Sequence, residues 1–432
     1  MDKQNICSEL FYSMDLRLMR GSITNCCKTT DIMLDIKDFN NPNILCHNPE
    51  LKSRKESMIL HNKLPEPSCF TCTKSLPNSF FKNRNLFHSR LDESFKKSLL
   101  DDDYIERFTI NLSSACDLKC VYCAPKDSSS WAKEIGIPTV GTSDEWFESA
   151  IKNFITYLKN KKYNPNVQYT FIISGGEPTY NPHSLWLIEQ IIDIVPNKQL
   201  FLFLHTNFNT KEKVFNDYIN LFDKHKDIKC VFDVSVDSTR DRAEAIRHGL
   251  QWNRLMRNMN YILDADFKNI DIRIVNTLNV YSVPYFKDDI EFYLDTLGPK
   301  KMKEMFRHTI TRFAFNYANE MGMTIIGMPK RFKEDQNDAI KFCEQHKLDY
   351  FIRYLSKIKN LIGTNIIDTT AWHYDMAFSY FKIKRPETDW DRLFPHMSIM
   401  IEELYAMFPK KAVRYVPDFK NLKRPINSYN KG

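Results

Sequence analysis

Glycine is scarce in this sequence, at 11 of 432 residues, while lysine, asparagine and isoleucine are common; we read that bias as genome composition and attach no mechanism to it. No window approaches eighteen uninterrupted apolar residues, which argues against a membrane-spanning helix. The opening MDKQNICSEL has no basic stretch followed by an apolar run, so no secretory signal is expected. The expected compartment is therefore a reducing cytoplasm, where 11 cysteines serve as metal ligands and buried thiols and not as bridges. Internal repeats and long low-complexity tracts are absent, which excludes a repeat array. No basic stripe is interleaved with aromatics; Lys159, Lys161 and Lys162 make only a short run. The formal charge of +7 thus reads as a solvated surface and argues against a nucleic-acid face, while acidic or phosphate-bearing substrates stay compatible. Paired-carboxylate and Ser/His hydrolase motifs are also missing. What remains is a chain with 43% hydrophobic and 27% charged residues, as in a soluble globular protein of more than one ordinary domain.

Six of the eleven cysteines fall in the first hundred residues, among many Asn, Pro and Ser and little sustained periodicity. A small module over 1–98, tied together by metal, fits that thin apolar content. From 99 to 320 short apolar runs (ERFTINLSS, VQYTFIISGG, QLFLFLHTN, KCVFDVSVD, IDIRIVNTLN, TRFAFNYAN) alternate with helical patterns such as DEWFESAIKNFITYLKN and HSLWLIEQIIDIV. The alternation predicts parallel β/α units. Six strands over this length predict an α/β fold, a partial (β/α)6 barrel of the TIM type and not a closed eight-fold one. Residues 321–432 read as a mostly helical extension, an add-on or a cover for the barrel.

The stretch CDLKCVYC, Cys116 to Cys123, follows the first confident strand. Composition alone would give this spacing about 0.007 times per chain. Three thiolates can hold three irons of a [4Fe–4S] cluster and leave the fourth iron open; three buried thiols or part of a zinc knuckle is the plainer alternative. At the end of the second strand stands SGGEP, Ser174 to Pro178. Gly175 and Gly176 permit positive φ and close backbone approach to a ligand, and Glu177 offers a carboxylate to an ammonium group. A strand-end turn would explain these residues alone; one strand after a three-cysteine loop they carry more.

Together these residues resemble the radical S-adenosylmethionine (SAM) superfamily, over roughly residues 105–320. The family places CxxxCxΦC, with Φ aromatic as Tyr122 is, after the first strand of a (β/α)6 partial barrel. The resemblance implies a [4Fe–4S] cluster on Cys116, Cys120 and Cys123, whose open iron takes the amino and carboxylate groups of SAM. It further implies reductive cleavage of SAM to a 5′-deoxyadenosyl radical that abstracts hydrogen from a substrate, with electrons from a donor such as flavodoxin or ferredoxin. By position it implies cofactor contacts at Tyr122, at Gly175, Gly176, Glu177 and Pro178, at Thr206 and Asn207 near the ribose, at Ser235 and Asp237, at Arg247 for the SAM carboxylate, and at Asn279.

The segment CAPKDSSSWAKE resembles the CxPxxSSxW stretch of twitch-type members. Cys7, Gly21 and Cys26 fit the start of a SPASM or twitch motif, Cx9–15Gx4C, and SCFTC adds Cys69 and Cys72. The resemblance implies a second, fully ligated [4Fe–4S] cluster there, with Cys27 or Cys46 as alternative ligands. This chain lacks the usual Trp after the first cysteine and the Glu and Gly after CxxC, and a four-cysteine zinc module is the other reading. Cys230 and Cys343 read as core thiols. The substrate, a peptide, protein or small molecule, is not legible. A binding module on a vestigial barrel and a nucleic-acid-modifying radical enzyme are the alternative functions.

Overall fold

The computed structural model describes residues 9–26, 29–35, 44–61, 63, 65, 99–100, 103–139, 144–265, 267–306, 325–366 and 370–409. The expected sixth strand TRFAFNYAN and Cys7, Cys27, Cys69 and Cys72 lie outside the described residues.

The strands are β1 (Ser13–Arg17), β2 (Ser22–Thr24), β3 (Ile32–Met33), β4 (Arg107–Asn111), β5 (Lys119–Cys120), β6 (Tyr169–Ser174), β7 (Leu200–Thr206), β8 (Lys229–Ser235), β9 (Arg247–His248) and β10 (Ile270–Val275). One sheet runs β10-β8-β7-β6-β4-β1-β2-β3. Its strands from β10 to β1 are all parallel, and β2 and β3 add on antiparallel. Parallel neighbours require crossovers, and helices supply them. These include α1 (Ser129–Ile135) and α2 (Asp144–Asn160) between β4 and β6, α3 (Ser184–Ile194) before β7, α4 (Glu212–Lys224) before β8, and α5 (Arg240–Ile246) and α6 (Trp252–Asp264) before β10. This is the mixed α/β, partial TIM-like architecture that the strand–helix alternation predicts.

The pattern of each element shows why it lies there. In β7 the residues alternate buried and half-buried, with Leu202 and Leu204 under the helices and Phe203 and His205 on the hollow face. Helix α4 buries Phe215, Tyr218, Ile219 and Phe222, and α6 buries Trp252, Leu255, Met259 and Ile262, each a stripe at helical spacing. Register then brings a polar row onto the hollow face: Arg17 opposite Asn111, Asn111 opposite Ser174, His205 opposite Asp233, and Asp233 opposite Arg273. Arg273 grips Asp233 through Nε–Oδ1 and NH2–Oδ2 contacts of 2.6 Å, and His205 Nε2 lies 3.1 Å from Asp233.

The N-terminal residues differ from expectation in one respect. The sequence reading gives 1–98 a module of its own, yet β1 pairs with β4 over five residues and extends the core sheet. Its SMDLR text is too short and polar to announce a parallel strand. At the other end, α7 (Phe286–Phe306), α8 (Lys333–Gln345), α9 (Asp349–Leu361), α10 (Thr370–Lys384) and α11 (Pro395–Met407) form the helical region. It packs on the barrel's own loops: Tyr380 and Phe381 of α10 both stand 6.3 Å, ring to ring, from Trp131 of α1. Among the described residues no helix is long and apolar enough to cross a membrane.

Candidate active site

The cysteine loop leaves β4 and is fixed mostly by its own neighbours in sequence. Ser128 Oγ donates to Leu118 O at 2.7 Å and, as N-cap of α1, accepts from Trp131 N. Ser129 Oγ accepts from Cys116 N at 3.1 Å, and Ser130 Oγ donates to Cys116 O at 2.7 Å. Trp131, fully buried, donates from Nε1 to Cys120 O at 2.8 Å. The three serines and the tryptophan therefore act as a template for the backbone that carries Cys116 and Cys120.

The thiols themselves are mutually close. Cys116 and Cys120 are buried and Cys123 is half-buried. A hydrogen bond from Cys123 and the nearby Arg247 guanidinium lower the Cys120 pKa against the effect of burial, while that same bond, and then burial, raise Cys123. Burial raises Cys116, whose sulfur accepts from Leu118 N at 3.4 Å. Among the described residues no three Cys, His, Asp or Glu side chains close around one metal ion. Thiolates that bind three different irons have no need to meet at one point. Soft sulfur donors, an amide N–H on one sulfur and a guanidinium on another, Arg247 NH1 lying 3.8 Å from Cys120 Sγ, fit an iron–sulfur cluster.

Strand β9 lies beside this loop, with Cys120 opposite Arg247 and Val121 N donating to Ile246 O at 2.8 Å. Arg247 is buried and ion-pairs through Nε with Asp237 at 2.8 Å; Tyr122 OH donates to the same Asp237 oxygen at 2.5 Å. Burial works to lower the Arg247 pKa, but Asp237 and Tyr122 hold it above its usual range. Asp237 also accepts from Thr277 N at 2.7 Å, which joins the ends of β8 and β10 to the cysteine loop.

The GGEP turn packs against the start of the same loop. Gly175 and Gly176 have φ of 90° and 47°, and a Cβ on Gly176 would overlap the Ala115 carbonyl. The glycines thus serve close approach to the loop backbone, and Glu177 N donates to Ala115 O at 2.8 Å. Glu177 is buried; its carboxylate accepts from Thr179 N and Oγ1, from Thr206 Oγ1 at 2.8 Å and from Asn207 N at 2.5 Å. Burial outweighs these donors and raises its pKa to about 7. Pro178 opens the short turn that follows.

Asn207 donates through Nδ2 to Asp117 at 2.9 Å, and Asn209 donates to the other Asp117 oxygen at 2.8 Å. Phe208 between them takes the left-handed φ of 58°, which turns both asparagines toward one carboxylate. Asp117 and Asn209 carry no motif, and the sequence reading passes over both. Ser235 is half-buried at the end of β8. The Asn279 side chain is buried and engaged by Thr277 O and Tyr281 N of its own turn. Asn276, closer to the β10 end, donates to Asp237 O at 3.0 Å instead. Cys26 is buried near the N-terminal strands; its three expected co-ligands lie outside the described residues. Cys230 and Cys343 are buried in the core, as expected.

Residues 110–297 match the family model of the radical SAM superfamily. No curated protein matches the sequence. Crystal structures of SuiB from Streptococcus suis align over 66% of this chain at 15% identity and a TM-score of 0.31. SuiB bound to the precursor peptide SuiA aligns over 67% at 18% identity with a TM-score of 0.30, and SuiB bound to S-adenosylmethionine over 66% at 17% identity and 0.26. The chain spans 59% of the length of each SuiB chain.

Proposed function

The chain carries a radical SAM domain, and from this premise we propose that it is an enzyme that cleaves SAM reductively and uses the radical to abstract hydrogen from a peptide, protein or small molecule. The observation that carries the reading is the meeting of three buried or half-buried thiols on one loop at the carboxyl ends of parallel strands, with the GGEP turn packed against that loop. Cys116, Cys120 and Cys123 would hold a [4Fe–4S] cluster, which supplies the electron and the open iron.

The chain's own residues then orient and exclude. Ser128, Ser129, Ser130 and Trp131 fix the loop backbone. Glu177, once deprotonated, offers a hydrogen-bond acceptor to the N–H of the SAM amino group, while Arg247 offers positive charge beside Cys120. We assign the remaining SAM contacts to Tyr122, Thr206, Asn207, Ser235, Asp237 and Asn279, of which Thr206 and Asn207 bond to Glu177 and Tyr122 to Asp237. We assign a second cluster to Cys7, Cys26, Cys69 and Cys72, and an external flavodoxin- or ferredoxin-type donor to the first. A cytoplasmic setting suits both.

Anaerobic reconstitution with iron and sulfide tests the reading. Wild-type chain with dithionite should release 5′-deoxyadenosine from SAM, and the Cys116, Cys120, Cys123→Ala triple variant should release none. Undiminished cleavage by the triple variant would sink the proposal.

A further inference from the structure

The helical region enters the cysteine loop through one side chain. Arg385 follows α10 directly and is 1% exposed, although it carries a guanidinium. Its NH2 donates to the Lys119 carbonyl at 2.9 Å, one residue before Cys120. Its Cζ stacks 4.9 Å from the Trp131 ring and 4.7 Å from the Phe381 ring. Trp131 in turn holds the Cys120 carbonyl. Two successive peptide carbonyls of the metal loop, at 119 and 120, are therefore held by Arg385 and by the indole on which it stacks.

Neighbouring contacts make the same connection. Tyr380 OH donates to Glu134 at 3.2 Å, and Glu134 pairs with Lys119 at 2.6 Å. Glu387 lies 3.8 Å from His248, the residue opposite Lys119 in the β5–β9 pair. The charged groups around the loop are Lys119, Arg247 and Arg385 on one side and Asp117, Asp127, Glu134, Glu177 and Asp237 on the other. Burying a guanidinium is costly, several kcal/mol before compensation. A leucine or methionine would fill this place without that cost, so the site points to a requirement for a charged, forked donor.

Resting on the radical SAM reading, we propose that Arg385 is a positioning residue of the cluster site, which pins the β5 backbone beside Cys120 and supplies a permanent positive charge that eases reduction of the cluster. A cation near the cluster favours its more negative, reduced state, and the low dielectric around a buried group strengthens the effect. The helical region is on this account a working part of the redox site, in addition to covering the barrel.

The experiment uses the full chain, reconstituted anaerobically, as wild type, Arg385→Lys, Arg385→Met and Arg392→Met. Arg392 is an exposed arginine of the same region, paired with Asp241 at 3.2 Å, and controls for loss of charge alone. Iron per chain, thermal melting and the EPR-monitored midpoint potential are read. Arg385→Met should load less iron than wild type, and the loaded fraction should need a more negative potential, with several-fold less cluster reduced at a fixed potential. Arg385→Lys should keep the potential near wild type, and Arg392→Met should change neither quantity. Full loading at an unshifted potential in Arg385→Met would overturn the proposal and leave the radical SAM reading intact. Failure of wild type itself to take up iron would instead overturn the radical SAM reading. Should Arg385→Met not fold, Arg385→Gln carries the test; if both fail to fold, Arg385 is only a core support and the proposal falls.

Discussion

Asp117 and Asn207 stand 2.9 Å apart across 90 residues of sequence, and through them the cysteine loop is tied to the end of β7. Asn209 holds the second Asp117 oxygen, donates also to Gly249 O at 3.1 Å, and accepts from Gln251 N at 3.0 Å. One carboxylate therefore sets the spacing of the cysteine loop, the β7 end and the turn after β9. Removing it as Asp117→Ala strands two amide donors, at about 1–3 kcal/mol each. We expect a fall in stability of about 2–6 kcal/mol by urea unfolding of the apo chain, together with weaker SAM binding in the loaded protein. An unchanged midpoint and slope would mean that the network is dispensable.

The two glycines of the GGEP turn give a second, sharper test. Gly176→Ala would drive a methyl into the Ala115 carbonyl, next to Cys116, from a φ of 47°. Gly136, the C-cap of α1, has φ 71° but open space around its Cβ position. Gly136→Ala should therefore cost only the left-handed backbone term, about 1 kcal/mol. Gly176→Ala should cost about 3 kcal/mol or more and displace the loop. Iron uptake separates them: near normal for Gly136→Ala, sharply reduced for Gly176→Ala. Equal uptake by both would show that the loop does not depend on this close approach.

What could be read from the text, and what could not, follows from range and periodicity. The cysteines, the GGEP turn and the serines before Trp131 lie within short stretches whose spacing is itself the signal. Strands β4, β6, β7, β8 and β10 announce themselves by alternation and β-branched content. Asp117, Asn209 and Arg385 do not, because their partners are 40 to 266 residues away and polar loop residues have no period. Strand β1 was hidden for a related reason: its five residues gain strand identity only from β4, some ninety positions later. The glycines of GGEP were legible as a close approach, but its object, the loop backbone, came from the fold.

Glu177 should make SAM binding depend on pH. Its carboxyl is raised to about 7 by burial, so near neutrality part of the population is protonated and is a poorer acceptor for the SAM amino group. SAM affinity should therefore rise as pH increases from 6 to 8, and the Glu177 part of that rise is the part that Glu177→Gln removes. Glu177→Gln should bind weakly with a shallower profile over that interval. The same shift has the opposite sign for folding. With the folded pKa above the unfolded one, the native state binds more protons between about 4.5 and 7, and this group's contribution to stability falls as pH rises through that window. Isothermal titration for binding and urea unfolding for stability, at matched pH values, should show the two trends running against each other; parallel trends would remove Glu177 from the cofactor site.

The second cluster proposed at the N-terminal cysteines has a test of its own in the metal content of the chain. Cys26 is buried beside strands that extend the core sheet, so metal held there would be rigidly attached to the barrel. If Cys7, Cys26, Cys69 and Cys72 hold a second four-iron cluster, reconstituted wild type should contain about eight irons per chain. Replacing all four by alanine should leave about four, with the SAM-dependent change in the EPR signal of the first cluster retained. A zinc site at the same cysteines would give about one zinc and about four irons in wild type, and the alanine variant would lose the zinc alone. Metal analysis of the two proteins, prepared side by side without oxygen, separates these outcomes: a variant with undiminished iron ends the case for an auxiliary cluster, and a variant that loses half of it while still cleaving SAM places that cluster downstream of the radical-forming step.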